Sequence, residues 1–135
     1  MIVADTSALI AALLVEREGP ACLAALAEAT HIAVSAGTLV EFYIVTSKPE
    51  LRDVARAFLV DLDHEVFEVS AYFARLAGEN YRMWGRGFHP AKLNMGDCYA
   101  YTLAKELGRP LLFIGNDFAQ TDIRSVLANP DLERP

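Results

Sequence analysis

Residues 1–16, MIVADTSALIAALLVE, decide the fold. Ile2-Val3-Ala4 is apolar at every position and too short for a helix, which is how a strand buried on both faces reads. Asp5-Thr6-Ser7 follows at once, and Ser7 is a good N-cap for a helix over residues 8–14. A buried strand that runs straight into a helix is the first half of a parallel βαβ unit. The same alternation recurs downstream. Ile32-Ala33-Val34 reads as a second strand, after which Ser35 caps a helix over residues 37–47 that stops at Lys48-Pro49. Val66, Phe67 and Val69 suggest another strand, and Leu111-Leu112-Phe113-Ile114 a buried one that ends at Gly115-Asn116-Asp117. Helices are expected over residues 21–29, 51–62, 71–84 and 95–107, the last closed by Gly108. The expectation is an α/β fold, three layers in the order α/β/α, with a short-stranded, mainly parallel central sheet. Ligands in such sheets sit at the carboxyl ends of the strands.

The chain has 135 residues, 53% hydrophobic and 22% charged, enough apolar side chain for one core. No linker, repeat or low-complexity stretch divides it, so residues 1–135 are read as one domain. Cys22 and Cys98 lie in apolar stretches with no CxxC or His-rich spacing, which predicts buried, reduced thiols rather than a disulfide or zinc site. The N-terminal stretch has no basic lead and is interrupted by Asp5, so it reads as neither a signal peptide nor a spanning helix. A cytoplasmic protein with no membrane partner is expected. The formal charge of -6 argues at first against binding nucleic acid, whose phosphates attract Lys and Arg.

Four acids fit poorly into an ordinary core. Asp5 and Asp117 follow buried strands. Glu41 stands in Thr-Leu-Val-Glu-Phe-Tyr-Ile-Val, on a helix apolar on nearly every face and therefore expected to be largely buried. Asp97 lies three residues after Asn94, the spacing of a capping box. Each has a bland reading as a cap, a turn residue or a solvated side chain. Together they gather carboxylates at strand ends and helix starts, where like charges ionise together only beside a cation. Oxygen ligands without His or Cys suit Mg²⁺ or Mn²⁺, and such a centre supports phosphodiester hydrolysis.

With these positions in hand, the chain resembles PIN-domain ribonucleases, in particular the VapC-type toxins of bacterial toxin–antitoxin pairs. IVADTSAL, SAGTLVEFYIV, HPAKLNMGDCYAYTLAKELGRPLLF and GNDFAQTDI carry the resemblance, in that order and through most of the chain. The resemblance implies that Asp5, Glu41 and Asp97 are the main acids holding metal, with Asp117 as a further one. Many relatives have a second acid where this chain has Asn116, a departure that leaves a second metal ion open. Thr6 or Ser7 would hydrogen-bond a metal water or a phosphate. The implied activity is RNA cleavage, of transfer or ribosomal RNA, that stops translation. Implied partners are a VapB-type antitoxin, whose tail lies in a groove beside the site, and a second copy of the chain in a homodimer. Leu13, Phe42 and Tyr43 are candidates to line that groove, although plain core or a dimer interface is the more ordinary reading of them.

Arg75, Arg82, Arg86 and Lys92 face a single acid, Glu79, over residues 75–92, so this segment carries +3 and the rest of the chain -9. It ends five residues before Asp97, a suitable place for phosphates to approach, with Arg86 and Lys92 nearest. His31, His64 and His89 show no metal spacing, although His89 lies near the site. Trp84 and Tyr81 read as core. Two other functions fit the residues less well. An aspartyl phosphotransferase with Asp5 as nucleophile needs a second Asp at position 7, which is Ser. A binding module without catalysis would have little use for all three main acids.

Overall fold

The sheet is built from pairs of neighbouring residues that face opposite ways. In a computed structural model that describes residues 1–127, β1 (Ile2–Ala4), β2 (Ile32–Ser35), β3 (Glu65–Phe67) and β4 (Leu111–Leu112) form one sheet in the order β3-β2-β1-β4. Every pairing is parallel, with Val3 opposite both Ala33 and Leu111. Val3, Ala33 and Leu111 point into one apolar cluster, while Ala4, Ile32, Val34 and Leu112 point into the other. The alternation of strand side chains thus divides the core into two layers.

Helices cover both faces. α1 (Thr6–Leu14), α2 (Gly19–Glu28), α3 (Ala36–Val45) and α4 (Pro49–Asp61) contribute to one cluster through Leu9, Cys22, Phe42 and Leu59. α5 (Ala71–Trp84) and α6 (Met95–Leu107) contribute to the other through Phe73, Cys98 and Tyr101. The α/β/α layering expected from the sequence is present. Both cysteines are free and buried, also as expected. No helix among the described residues is long and apolar enough to cross a membrane.

Several local expectations need correction. α1 starts at Thr6, with Asp5 rather than Ser7 as its cap, because the Asp5 side chain accepts from the Ser7 backbone N–H. β4 stops at Leu112, two residues early. Beyond it the Ile114 N–H donates to Ser7 Oγ rather than to a neighbouring strand. α3 is not largely buried. One face, with Gly37, Thr38 and Phe42, meets the core, while Val40, Tyr43, Ile44 and Val45 are exposed. Apolar composition marks such a helix as buried only if something covers every face, and among the described residues nothing covers the outer one. Asp122 accepts from the Tyr101 hydroxyl at 2.6 Å and from Lys105 at 2.9 Å.

The strand order fixes where a site can lie. The chain moves from β1 outward to β2 and β3, then returns to place β4 on the other flank of β1. The crevice between β1 and β4 is therefore the switch point of the sheet, and Asp5 leaves β1 there.

Candidate functional site

Asp5 is buried and caps α1, with Oδ2 accepting from Ser7 N–H at 3.1 Å and from Ser7 Oγ at 2.6 Å. Ser7 Oγ in turn accepts from the Ile114 N–H at 3.0 Å, so one serine ties the ends of β1 and β4 together. The other oxygen, Asp5 Oδ1, is buried with no hydrogen-bond partner. Burial pushes the Asp5 carboxyl up to about 6, against the pull of the Ser7 hydrogen bonds, and the nearby Glu41 charge adds to the rise.

Asp97 is the third residue of α6 and closes a capping box with Asn94. Its Oδ2 accepts from Asn94 N–H at 3.0 Å, and its own N–H donates to Asn94 Oδ1 at 2.8 Å. The sequence reading of this box holds. Yet the Asp97 carboxyl is pushed up to about 7, first by burial and then by the charges of Asp5, Asp117 and Glu41. A cap held only by its helix would be pulled toward ionisation. Here burial and three other carboxylates overcome that pull.

Glu41 reaches this place because two helices approach closely. A Cβ on Gly37 would run into the Tyr99 ring, and one on Gly96 into the Glu41 carboxylate. The two glycines stand each two residues past a cap, in Ser35-Ala36-Gly37 and Asn94-Met95-Gly96. Glycine in a helix costs about 1 kcal/mol against alanine. That cost is the signal in the sequence, and composition alone does not tie it to a site. Asp117 begins the short 3-10 helix Phe118–Gln120, exposed, and Asn116 beside it is exposed as well.

The other predicted site residues are placed differently. Thr6 is buried and its hydroxyl donates to the Thr38 carbonyl at 3.3 Å, holding α1 to α3. Arg86 and Lys92 are exposed on the connection between α5 and α6. His89 lies edge-on to Trp84, with its Nδ1 accepting from the Ala91 N–H. Phe42 is fully buried and lines no groove, whereas Tyr43 is exposed and Leu13 half-buried.

Asp5, Glu41, Asp97 and Asp117 thus share one end of the sheet, and no Lys or Arg among the described residues pairs with any of them. No three His, Cys, Asp or Glu side chains are already gathered into a metal-holding cluster among those residues. The donor chemistry nevertheless fits a hard divalent cation. All ligand atoms are oxygens, one of them is buried without a partner, and the local charge has no counter-charge.

Residues 2–124 match the PIN domain family. The chain belongs to that family. Among PIN-domain relatives, Ribonuclease VapC42 of Mycobacterium tuberculosis is 39% identical over 127 residues, which cover 91% of this chain and 97% of the relative. Ribonuclease VapC28 of the same organism is 38% identical over 130 residues, covering 93% and 98%. In three dimensions the PIN fold seen here superposes on M. tuberculosis VapC20, described as a sarcin-ricin loop cleaving toxin, with a TM-score of 0.78 at 15% identity, over 93% of this chain and 98% of that one. It also superposes on a chain of the VapBC2 complex of Rickettsia felis, crystallised with a DNA fragment from its promoter, with a TM-score of 0.68 at 19% identity, over 93% and 96%. At these identities the structural matches bear on the fold, and the sequence matches carry the family.

Proposed function

We propose that this PIN-domain protein is the toxin of a toxin–antitoxin pair, a Mg²⁺- or Mn²⁺-dependent endoribonuclease that hydrolyses RNA phosphodiester bonds and so inhibits translation. The observation that carries the reading is the carboxylate group at the switch point of the sheet, whose charges raise Asp97 and which has no basic partner among the described residues. Asp5, Glu41 and Asp97 would hold the ion, with Asp117 and the Asn116 carbonyl oxygen at the rim. The ion's chemistry, when bound, is to activate an attacking water and to offset charge on the phosphate.

The chain's own residues have separate tasks. Ser7 engages Asp5 Oδ2, which leaves the buried Oδ1 without a partner and available to a ligand. Asn94 fixes Asp97 through two hydrogen bonds. Gly96 leaves the space that the Glu41 carboxylate occupies. Arg86 and Lys92 are suited to hold the RNA backbone as it enters, and the Ser7 and Thr6 hydroxyls reach a phosphate only by giving up their present bonds. Transfer or ribosomal RNA is the substrate class the family resemblance favours. A VapB-type antitoxin would neutralise the toxin, and the exposed apolar face of α3 suits a homodimer or toxin–antitoxin contact. The whole chain would act as one cytoplasmic domain.

The test is cleavage of total RNA by wild type and by Asp97→Asn with added Mn²⁺. We expect wild-type cleavage that EDTA stops and a loss of at least about a hundredfold in the variant. Equal cleavage by both proteins would refute the site.

A further inference from the structure

Asp97, Tyr101 and Lys105 follow one another at i, i+4 and i+8 and so share one side of α6. The chain that follows β4 is fastened along this stripe. At one end Asp117 lies close enough for its charge to raise Asp97. At the other end Asp122 accepts from the Tyr101 hydroxyl at 2.6 Å and from Lys105 Nζ at 2.9 Å. Arg124 adds a bond from Nη2 to the Gly108 carbonyl at 3.2 Å, just past the end of α6. An acid thus faces an acid at the site, and five residues on an acid faces a hydroxyl and an ammonium.

The piece between the two ends is held stiffly. Phe118 is 2% exposed and packs against Phe113, with ring centroids 5.1 Å apart. The Thr121 hydroxyl donates to the Phe118 carbonyl at 2.7 Å and accepts from the Ile123 N–H at 3.3 Å, which closes the 3-10 helix Phe118–Gln120. Of the two bonds at Asp122, the one from Tyr101 is the stronger anchor. The Lys105 and Asp122 side chains are 44% and 50% exposed, and ion pairs so open to water contribute little. Tyr101 is buried, so its hydroxyl gains more from an ionised acceptor and loses more without one.

We infer that Asp122 is a positioning residue for the carboxylate site, its bond to Tyr101 holding Asp117 beside Asp97 although like charges drive the two apart. The inference rests on the metal-dependent reading of that site. Asp122 acts through Asp117 and is not itself a ligand. A ligand set kept together against its own repulsion is organised before an ion arrives, which is what a supporting hydrogen bond behind a ligand achieves.

Calorimetric titration of the full chain with Mn²⁺ tests this. Asp122→Ala removes both bonds, Asp122→Asn keeps an acceptor for Tyr101, and Tyr101→Phe removes only the hydroxyl. Each is made alone and together with Asp117→Ala. We expect Asp122→Ala and Tyr101→Phe each to lower Mn²⁺ affinity about tenfold, and Asp122→Asn to restore most of it. Beside Asp117→Ala the same substitutions should change affinity less than about twofold, because the residue they position is gone. Wild-type affinity in either Asp122→Ala or Tyr101→Phe would overturn the inference. So would an equal loss with and without Asp117, which would make the bond a general support of the fold. Tyr101→Phe keeps its ring in the core and carries the comparison if Asp122→Ala does not fold. Wild type that binds no Mn²⁺ would overturn the metal site and this inference with it, whereas failure of the inference alone leaves wild-type binding intact.

Discussion

Asp97 combines two roles that normally exclude each other. As an N-terminal helix cap it is stabilised when ionised, yet burial and the charges of Asp5, Asp117 and Glu41 raise it to about 7. Asp5, raised to about 6, follows the same logic. Both folded values lie above the usual carboxylate value of 3.8. The stability these groups contribute is therefore full below about pH 4 and is lost as pH rises through about 6 and 7, because the folded state then surrenders protons it held more tightly than the unfolded chain. Metal-free protein should melt roughly 5 °C or more lower at pH 8 than at pH 5 as a result. Mn²⁺ should recover most of that loss at pH 8 and little at pH 5. Asp97→Asn should flatten the upper part of the pH profile, which thermal denaturation in EDTA would measure. A second prediction at this scale concerns Ser7. Ser7→Ala removes the donor to Asp5 and the acceptor for Ile114. It should cost about 1–3 kcal/mol in urea denaturation, since a buried carboxylate and an N–H both lose a partner.

At the scale of elements, the site depends on how closely α3 and α6 approach. Gly96→Ala should favour an isolated helix but push the Glu41 carboxylate out of its place. We expect near-wild-type circular dichroism with Mn²⁺ affinity lowered about tenfold, measured by calorimetric titration. Unchanged affinity would show that Glu41 is not needed there. The exposed side of α3 makes a different prediction. Ile44 is 67% exposed, so Ile44→Asp should leave the stability of an isolated chain within about 0.5 kcal/mol. If α3 forms a contact between copies, the same substitution should lower the sedimentation mass. The elements themselves were largely legible in the sequence. α5 spans Ala71–Trp84 and α6 spans Met95–Leu107, the bounds that periodicity and the Gly108 cap predict. The end of β4 was less legible, since Phe113 and Ile114 are as apolar as Leu111 and Leu112. Past the strand, the Ile114 N–H donates to a serine 107 residues away in sequence, a contact that no local pattern reveals.

For the whole molecule, the question is how a chain of charge -6 handles a polyanion. Its charges are separated, with the carboxylates at the β1–β4 crevice and the arginines around the α5–α6 groove. The net charge repels RNA at a distance, whereas the local arginines attract it near the site. RNA affinity should accordingly be modest and fall with salt, with a slope set by few contacts. Arg82→Ala should reduce the slope of log affinity against log salt by about 0.7, as for one lost phosphate on a single strand. Filter binding at several salt concentrations would measure it.

The sequence by itself determined the α/β/α class, the alternation of strands and helices and the four acids worth attention. Those features are local, carried by apolar runs, caps and misplaced carboxylates within a few residues of one another. The tertiary structure decided the rest. It showed that the described residues cover only one face of α3, that Thr6 is occupied inside the fold, and that two glycines make the room that brings Glu41 to Asp97. It also gathered Arg75, Arg82 and Arg86 around a groove that no spacing along the chain reveals. Contacts between residues distant in sequence depend on strand order and helix approach, and a pattern read along one chain contains neither distance.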